Sequence, residues 1–317
     1  MSRPVLSVLR KLSTGLLAGA LLVQASLSSA QTLDTRFGPV DVSADPQRVV
    51  TLYEGALDAA VAAGVEPLGA VLTRGGKSVA AYIEPRVPNI SLVGSTRETN
   101  LEAVIALQPD LILAPPTLSE DQYRLLSAVA PTLVPNVTPL QADSWKRESR
   151  FYGRALNREA ELNAALTAIE QRIEALEARV EQQLPADARK ATLVRWMPQG
   201  AMLMSPKLFS TTLLQAVGFD IQDGGGLVKE GRPHSSPLSQ EKLALIDGDW
   251  LFLATLDADG QAALEAAKES PAFSRLDVVK QGHVVSVDGQ IWSSASGPLA
   301  ANAMLDRVEQ LLDSLQQ

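Results

Sequence analysis

The chain contains no cysteine. That excludes disulfides, thiolate metal sites and cysteine nucleophiles together. It also excludes acylation at a signal-peptide cysteine, so an exported form is not tethered to a membrane in that way. Histidine is nearly as scarce: His234 and His283 are the only two in 317 residues, too few for a tight zinc or manganese cluster. Aromatic residues make up 4%, so the positions of the four Trp and four Tyr carry weight. Phosphate-loop and dinucleotide fingerprints fail on spacing. Arg74-Gly-Gly-Lys-Ser78 has Val71 where the first glycine is required, and Gly224-Gly-Gly226 is too compact. No Gly-x-Ser-x-Gly elbow exists, and no catalytic residue can be nominated.

Basic charge is also in deficit, with 28 Lys and Arg against 36 Asp and Glu. Three of the basic residues, Arg3, Arg10 and Lys11, open a leader that continues as an apolar run over 12–23 and ends on Ser28-Ser29-Ala30. The run is shorter than the roughly 20 residues a bilayer needs, and small residues stand where a signal peptidase reads. Residues 1–30 are therefore expected to be a cleaved signal peptide, with Gln31 first in the mature chain. Without those three, 25 basic residues face 36 acidic ones, a formal charge of −11. Such a surface disfavours nucleic acid. An exported, unlipidated chain without disulfides fits a soluble periplasmic protein.

What is present is an alternation of short β-rich runs and helical patterns. Over 31–143, strands are expected at 48–52, 68–71, 90–93, 111–114 and 132–134. Helices fall between them at 56–63, 101–107 and 120–129. Strands separated by helices imply βαβ units and a mainly parallel sheet. A helical linker follows over 144–188. After a helix at 144–156, with Asn157 as N-cap, residues 158–184 run without Gly or Pro. Their apolar positions Leu162, Leu166, Ile169, Ile173, Leu176 and Val180 alternate steps of four and three. One helix of this length spans roughly 40 Å. A dimeric coiled coil is the competing use of such spacing, but under three heptads is short for one. Over 189–317 the α/β pattern resumes, with strands at 191–196, 250–254 and 284–287 and helices at 211–216, 240–246, 261–268 and 298–315. The expected fold is two Rossmann-like lobes joined by one long helix.

The stretch from Gly94 to Ala114 is the most specific: Gly-Ser-Thr-Arg-Glu-Thr-Asn-Leu-Glu-Ala-Val-Ile-Ala-Leu-Gln-Pro-Asp-Leu-Ile-Leu-Ala. It resembles the Gly-x-x-x-Glu-Pro-Asn-Leu-Glu-x-Ile-x-x-Leu-Lys-Pro-Asp-Leu-Ile signature of periplasmic binding proteins that deliver iron–siderophores or cobalamin to ABC importers. The resemblance extends over about residues 48–312, including Gly289-Gln-Ile-Trp-Ser-Ser-Ala-Ser-Gly-Pro-Leu299. It departs at Glu98-Thr99-Asn100, where the turn-fixing proline is missing. The resemblance implies a monomer without cofactor or protein-held metal. It would bind a ferric siderophore, with the iron held by the chelator, and present it to an inner-membrane permease and its ATPase. Haem or cobalamin delivery is the rival within the family. A siderophore-processing enzyme, or a sensor using the long helix, are the rivals outside it.

A ferric chelate rewards cationic donors and flat aromatic surfaces, and Arg supplies a permanently charged fork that also stacks. Open α/β sheets bind ligands beyond the carboxyl ends of their strands. Tyr53, Arg74, Arg195 and Trp196 fall at such ends, Arg97 in the signature loop, and Arg232 and Trp292 in later loops, with Tyr82 a weaker candidate. Related hydroxamate binders carry their loop arginine one position earlier, where this chain has Thr96. His234 reads as a solvated loop residue or, for haem, as an axial ligand beside Tyr53 or Tyr82. By resemblance, Glu120 and Glu241, each in the first turn of a helix, match surface glutamates that pair with permease arginines.

Overall fold

A computed structural model describes residues 30–316; the leader expected over the first thirty residues lies, but for Ala30, outside the described residues. The described chain begins with an antiparallel hairpin, β1 (Ala30–Thr35) and β2 (Gly38–Ser43), that sequence periodicity had not disclosed. Its turn needs Gly38, at φ 105.

The first lobe contains β3 (Val49–Thr51), α1 (Glu54–Ala62), β4 (Gly69–Leu72), β5 (Ser91–Ser95), α2 (Leu101–Ala106), β6 (Leu111–Leu113), α3 (Glu120–Ser127) and β7 (Thr132–Leu133). All five sheet strands are parallel, in the order β5-β4-β3-β6-β7. The chain builds outward one way from β3 and the other way from β6, so the order reverses between them. That reversal opens a crevice at their carboxyl ends. Residues of β3 and β6 are buried on both faces, as a sheet covered by helices requires. In the signature loop Asn100 caps α2 by accepting from the Ala103 N–H at 3.0 Å, so helix entry is fixed without the missing proline.

Two helices follow, α4 (Ser144–Ala155) and the long α5 (Glu159–Gln183). Asn157 is not the cap of α5; Arg158 holds that position, and Asn157 takes a left-handed turn at φ 53 that separates the helices. Asn tolerates that conformation better than most residues. The apolar stripe of α5 passes from one core to the other. Leu162 packs in the first lobe, whereas Leu166, Ile169, Leu176 and Val180 belong to the core of the second. The long helix is thus less a free strut than a wall of the second lobe.

That lobe contains β8 (Lys190–Met197), β9 (Gly200–Leu203), α6 (Phe209–Ala216), β10 (Asp220–Ile221) and a 3-10 helix at Gln240–Ile246, where regular α-helix was expected. It continues with β11 (Trp250–Thr255), α7 (Ala258–Lys268), α8 (Pro271–Ser274), α9 (Asp277–Lys280), β12 (Val284–Asp288), α10 (Gly289–Ser293) and α11 (Pro298–Ser314). Its parallel order is β10-β8-β11-β12, with β9 antiparallel on β8. Helix α11 lies along α5, and Arg172 and Arg179 bridge to Asp306, Glu309 and Asp313. Its N-terminus is tied to the first lobe. Asp58 of α1, fully buried, accepts the Leu299 and Ala300 N–H groups at 2.8 and 2.9 Å.

Candidate functional site

A cleft of about 310 Å³ lies between the lobes. The first lobe contributes the residues that follow β3 (Leu52, Tyr53, Glu54) and β6 (Pro115, Pro116, Thr117), on either side of the strand-order reversal. The second contributes Arg195 from β8 and His234 from a long loop. Glu148 of α4 and Ser293 at the end of α10 complete the walls between them.

Of the residues expected at the site, Tyr53, Arg74 and Arg195 line this cleft. Arg195 is 4% exposed, its Nε has no hydrogen-bond partner, and its Nη2 reaches only the Met202 sulfur at 3.7 Å. Burial, with Arg74 adding like-charge repulsion, pulls the Arg195 pKa down to about 10, so it remains charged at neutral pH. Arg74 comes from the other lobe, beyond β4. Neither guanidinium enters a salt bridge with any described carboxylate. Burying a charge without a partner is expensive, and Arg195 bears that cost; Arg74 faces it across the cleft as an exposed cation whose charge acts on Glu54 without a salt bridge, and together they leave room for an anion.

The other expected residues lie elsewhere. Strand alternation turns Trp196 away from the face that Arg195 uses; Trp196 is 4% exposed and meets Phe273 edge-on at 5.9 Å. Trp292 stacks on Phe252 in the second core at 5.2 Å, and only the serines that follow it reach the cleft. Tyr82 packs beneath the site, donating to Asp58 Oδ2 at 3.1 Å. In the signature loop Ser95 Oγ accepts the N–H groups of Arg97 and Glu98, making a tight turn. That turn gives the cleft position to Thr96 and leaves Arg97 exposed outside it. Gly94 permits the turn, since a Cβ there would stand 2.3 Å from the Glu98 carbonyl oxygen. Arg232 is exposed on a neighbouring surface hollow, while the adjoining His234 lines the cleft, half-buried rather than solvated. Its Nδ1 lies 2.8 Å from the Ser235 carbonyl, which can only accept, so Nδ1 carries a proton and donates it there.

Sequence reasoning missed the carboxyl groups. Glu54, Asp58 and Glu148 are 6%, 0% and 6% exposed. Burial raises each to a pKa of about 7, opposed at Glu54 by the Thr73 hydroxyl and the Arg74 charge, at Asp58 by hydrogen bonds from Leu299, Ala300 and Tyr82, and at Glu148 by the Tyr53 hydroxyl and the Arg147 charge. Burial also pushes the Tyr53 hydroxyl far up, so it stays a neutral donor. Raised carboxyl pKa values mean that the folded state holds protons the unfolded chain releases. Stability from this source is complete below about pH 4.5 and is lost as pH rises through about 7. A displacement from 4.5 to about 7 corresponds to roughly 3 kcal/mol for one such group. Melting temperature is expected to fall between pH 5 and pH 8 in the wild type, and less steeply in the Glu54→Gln/Glu148→Gln variant. Parallel melting curves for the two proteins would refute the burial of these charges.

Among the described residues no group of three His, Cys, Asp or Glu side chains is placed to hold a metal ion, and no helix is long and apolar enough to cross a membrane. Comparison with known proteins places the chain among binding proteins. It is 28% identical over 294 residues to the probable siderophore-binding lipoprotein YfiY of Bacillus subtilis, covering 90% of this chain and 89% of the relative. It is 27% identical over 276 residues to the achromobactin-binding periplasmic protein of Dickeya dadantii, covering 83% and 85%. Among solved structures, Staphylococcus aureus SirA complexed with staphyloferrin B superposes with a TM-score of 0.78 at 26% identity, covering 89% of this chain and 98% of that one. The sequence profile of the periplasmic binding proteins matches residues 49–291, the greater part of both lobes and the helices between them, and the chain belongs to that family.

Proposed function

We propose that the protein captures a ferric siderophore between its lobes and presents it, chemically unchanged, to the permease of an ABC importer. The observation that carries this reading is the pair Arg74 and Arg195, cations from opposite lobes on one cleft that form no salt bridge among the described residues. An anionic chelate supplies what both lack, and closing on it joins the lobes. The relatives named above, a probable siderophore-binding lipoprotein, an achromobactin-binding protein and a protein complexed with staphyloferrin B, support the same assignment. Export by a leader cleaved after Ala30 leaves β1 starting at Gln31, in register with Val42, so the hairpin survives processing. The absence of cysteine supports a form free in the periplasm rather than a lipid-anchored one.

Native mass spectrometry and Trp fluorescence against a panel of ferric siderophores, with haem and cobalamin included, test the assignment. A one-to-one complex with a ferric siderophore is expected, and its recovery unmodified after incubation separates carrier from enzyme. Arg195→Ala and Arg74→Ala should each weaken binding by about 1.5–3 kcal/mol, the range for hydrogen bonds to charged groups. Arg97→Ala should change affinity little. Wild-type affinity in both Arg195→Ala and Arg74→Ala would remove these residues from the site.

A further inference from the structure

A cleft that served only an anion would exclude carboxylates from its walls, yet this one holds two. Glu54 opens α1 and Glu148 stands in α4; both line the cleft and are 6% exposed. One oxygen of each is engaged: Glu54 Oε2 accepts the Thr73 hydroxyl at 2.5 Å, and Glu148 is bonded to the Tyr53 hydroxyl. The other oxygens, Glu54 Oε1 and Glu148 Oε2, have no hydrogen-bond partner and no contact with solvent. Buried polar atoms are almost always satisfied, so two orphan acceptors on one wall, beside an orphan donor at Arg195 Nε, call for partners from outside the chain. The cations do not provide them, since Arg74 and Arg195 form no salt bridge with either glutamate.

We propose that Glu54 and Glu148 form an acceptor subsite for the ligand. A bound chelate presents ammonium, amide N–H or free hydroxyl groups, lying outside its iron sphere, to these carboxyls, while its acidic oxygens meet Arg74 and Arg195. The inference rests on reading the cleft as a chelate site, and it narrows the ligand to chelates of mixed polarity. A chelate that offers only acidic oxygens meets two carboxyls and is rejected, which is discrimination by an unfavourable contact.

The test uses matched Fe(III) complexes that differ only in a pendant donor. One pair is ferrioxamine B, with its free terminal ammonium, and the N-trimethylated form, which keeps the charge and the amide N–H groups and loses every ammonium N–H. A second is the Fe(III) complex of an aminoethyl citrate amide and its N-trimethylated form. Affinities are measured by Trp fluorescence for wild type, Glu54→Gln and Glu148→Gln, with melting curves to show that each variant is folded; should one fail to fold, the other decides. Methylation is expected to cost about tenfold or more in wild type and to cost little in a Gln variant, because the two changes remove the same contact. Equal affinity of wild type for both members of a pair, or the same fold loss in wild type and variants, overturns the subsite. If no Fe(III) complex binds, the chelate reading itself falls. The subsite is then judged on iron-free lysine against its N-trimethylated form. Lysine binding that methylation and Glu148→Gln both abolish supports the subsite alone; no lysine binding overturns both.

Discussion

Replacing Asp58 by Ala is expected to lower the free energy of unfolding by about 3–5 kcal/mol, although the residue touches neither cleft nor solvent. Its carboxylate is fully buried and accepts three donors: the N–H groups of Leu299 and Ala300 and the Tyr82 hydroxyl. The first two belong to the opening turn of α11, where no earlier helical carbonyl exists to receive them. Alanine would orphan all three, and each unsatisfied buried donor costs about 1–3 kcal/mol. Because Asp58 belongs to the first lobe and α11 to the second, the loss also loosens the junction. Urea unfolding should shift to a lower midpoint and broaden as the lobes uncouple. Gly297 adds an internal check. Its φ of 128 suits glycine, and a Cβ there would lie 2.5 Å from the Asp58 carboxyl carbon. Gly297→Ala should therefore also destabilise, but Asp58→Ala/Gly297→Ala should cost less than the two losses added, since they strain one contact. A wild-type midpoint for Asp58→Ala, or strict additivity, would refute this account of the junction.

Much of this fold is written in short-range pattern. The steps of four and three from Leu162 to Val180 gave α5 to within a residue at either end, and β3, β6 and β8 announced themselves as apolar runs between turn signals. The hairpin β1–β2 was harder to see. Its burial alternates only weakly, and Thr and Asp sit where a strand facing water holds either. The site was legible where one rule sufficed. Tyr53 follows a strand at the order reversal, and Arg195 lies in the corresponding strand of the other lobe. Where two rules competed, the stronger was packing. A strand alternates its faces, so Arg195 and Trp196 could not both face the ligand, and the larger apolar surface took the core. Thr96 displaced Arg97 because the Ser95-centred turn fixes which side chain faces inward. Glu54, Asp58 and Glu148 resemble ordinary acidic surface residues in a chain with 36 acids. Only long-range contacts mark them as buried; the two backbone partners of Asp58 lie more than two hundred residues away.

The double variant Glu120→Ala/Glu241→Ala is expected to abolish siderophore-dependent uptake while leaving chelate affinity nearly intact. Both residues are exposed and outside the cleft walls. Glu120 is the first residue of α3, which follows β6, so it sits toward the same carboxyl end of the sheet that carries Pro115 and Thr117. Glu241 lies in the first turn of the 3-10 helix Gln240–Ile246. Just before that helix, Leu238 donates its N–H to Ala201, which pairs with Trp196 near the carboxyl end of β8. Each glutamate therefore stands beside the strand ends from which its lobe builds the cleft. Their contribution to the fold is small. An acidic residue at a helix N-terminus adds about 0.3–1 kcal/mol, and an exposed pair such as Glu120–Arg124 adds at most about 1 kcal/mol. That pair is weak enough for a permease arginine to displace Arg124 from Glu120. Docking at one contact per lobe would register the bound protein by the separation of its lobes, so losing both contacts removes orientation as well as attraction. Reversal of both residues to Arg should be worse than Ala, because like charges would then meet across the interface. Growth on a ferric siderophore as sole iron source, uptake of the labelled complex and affinity of the purified variants are the three measurements. Normal uptake by the double Ala variant would sink the docking assignment, and a loss of chelate affinity would move the glutamates into the binding machinery instead.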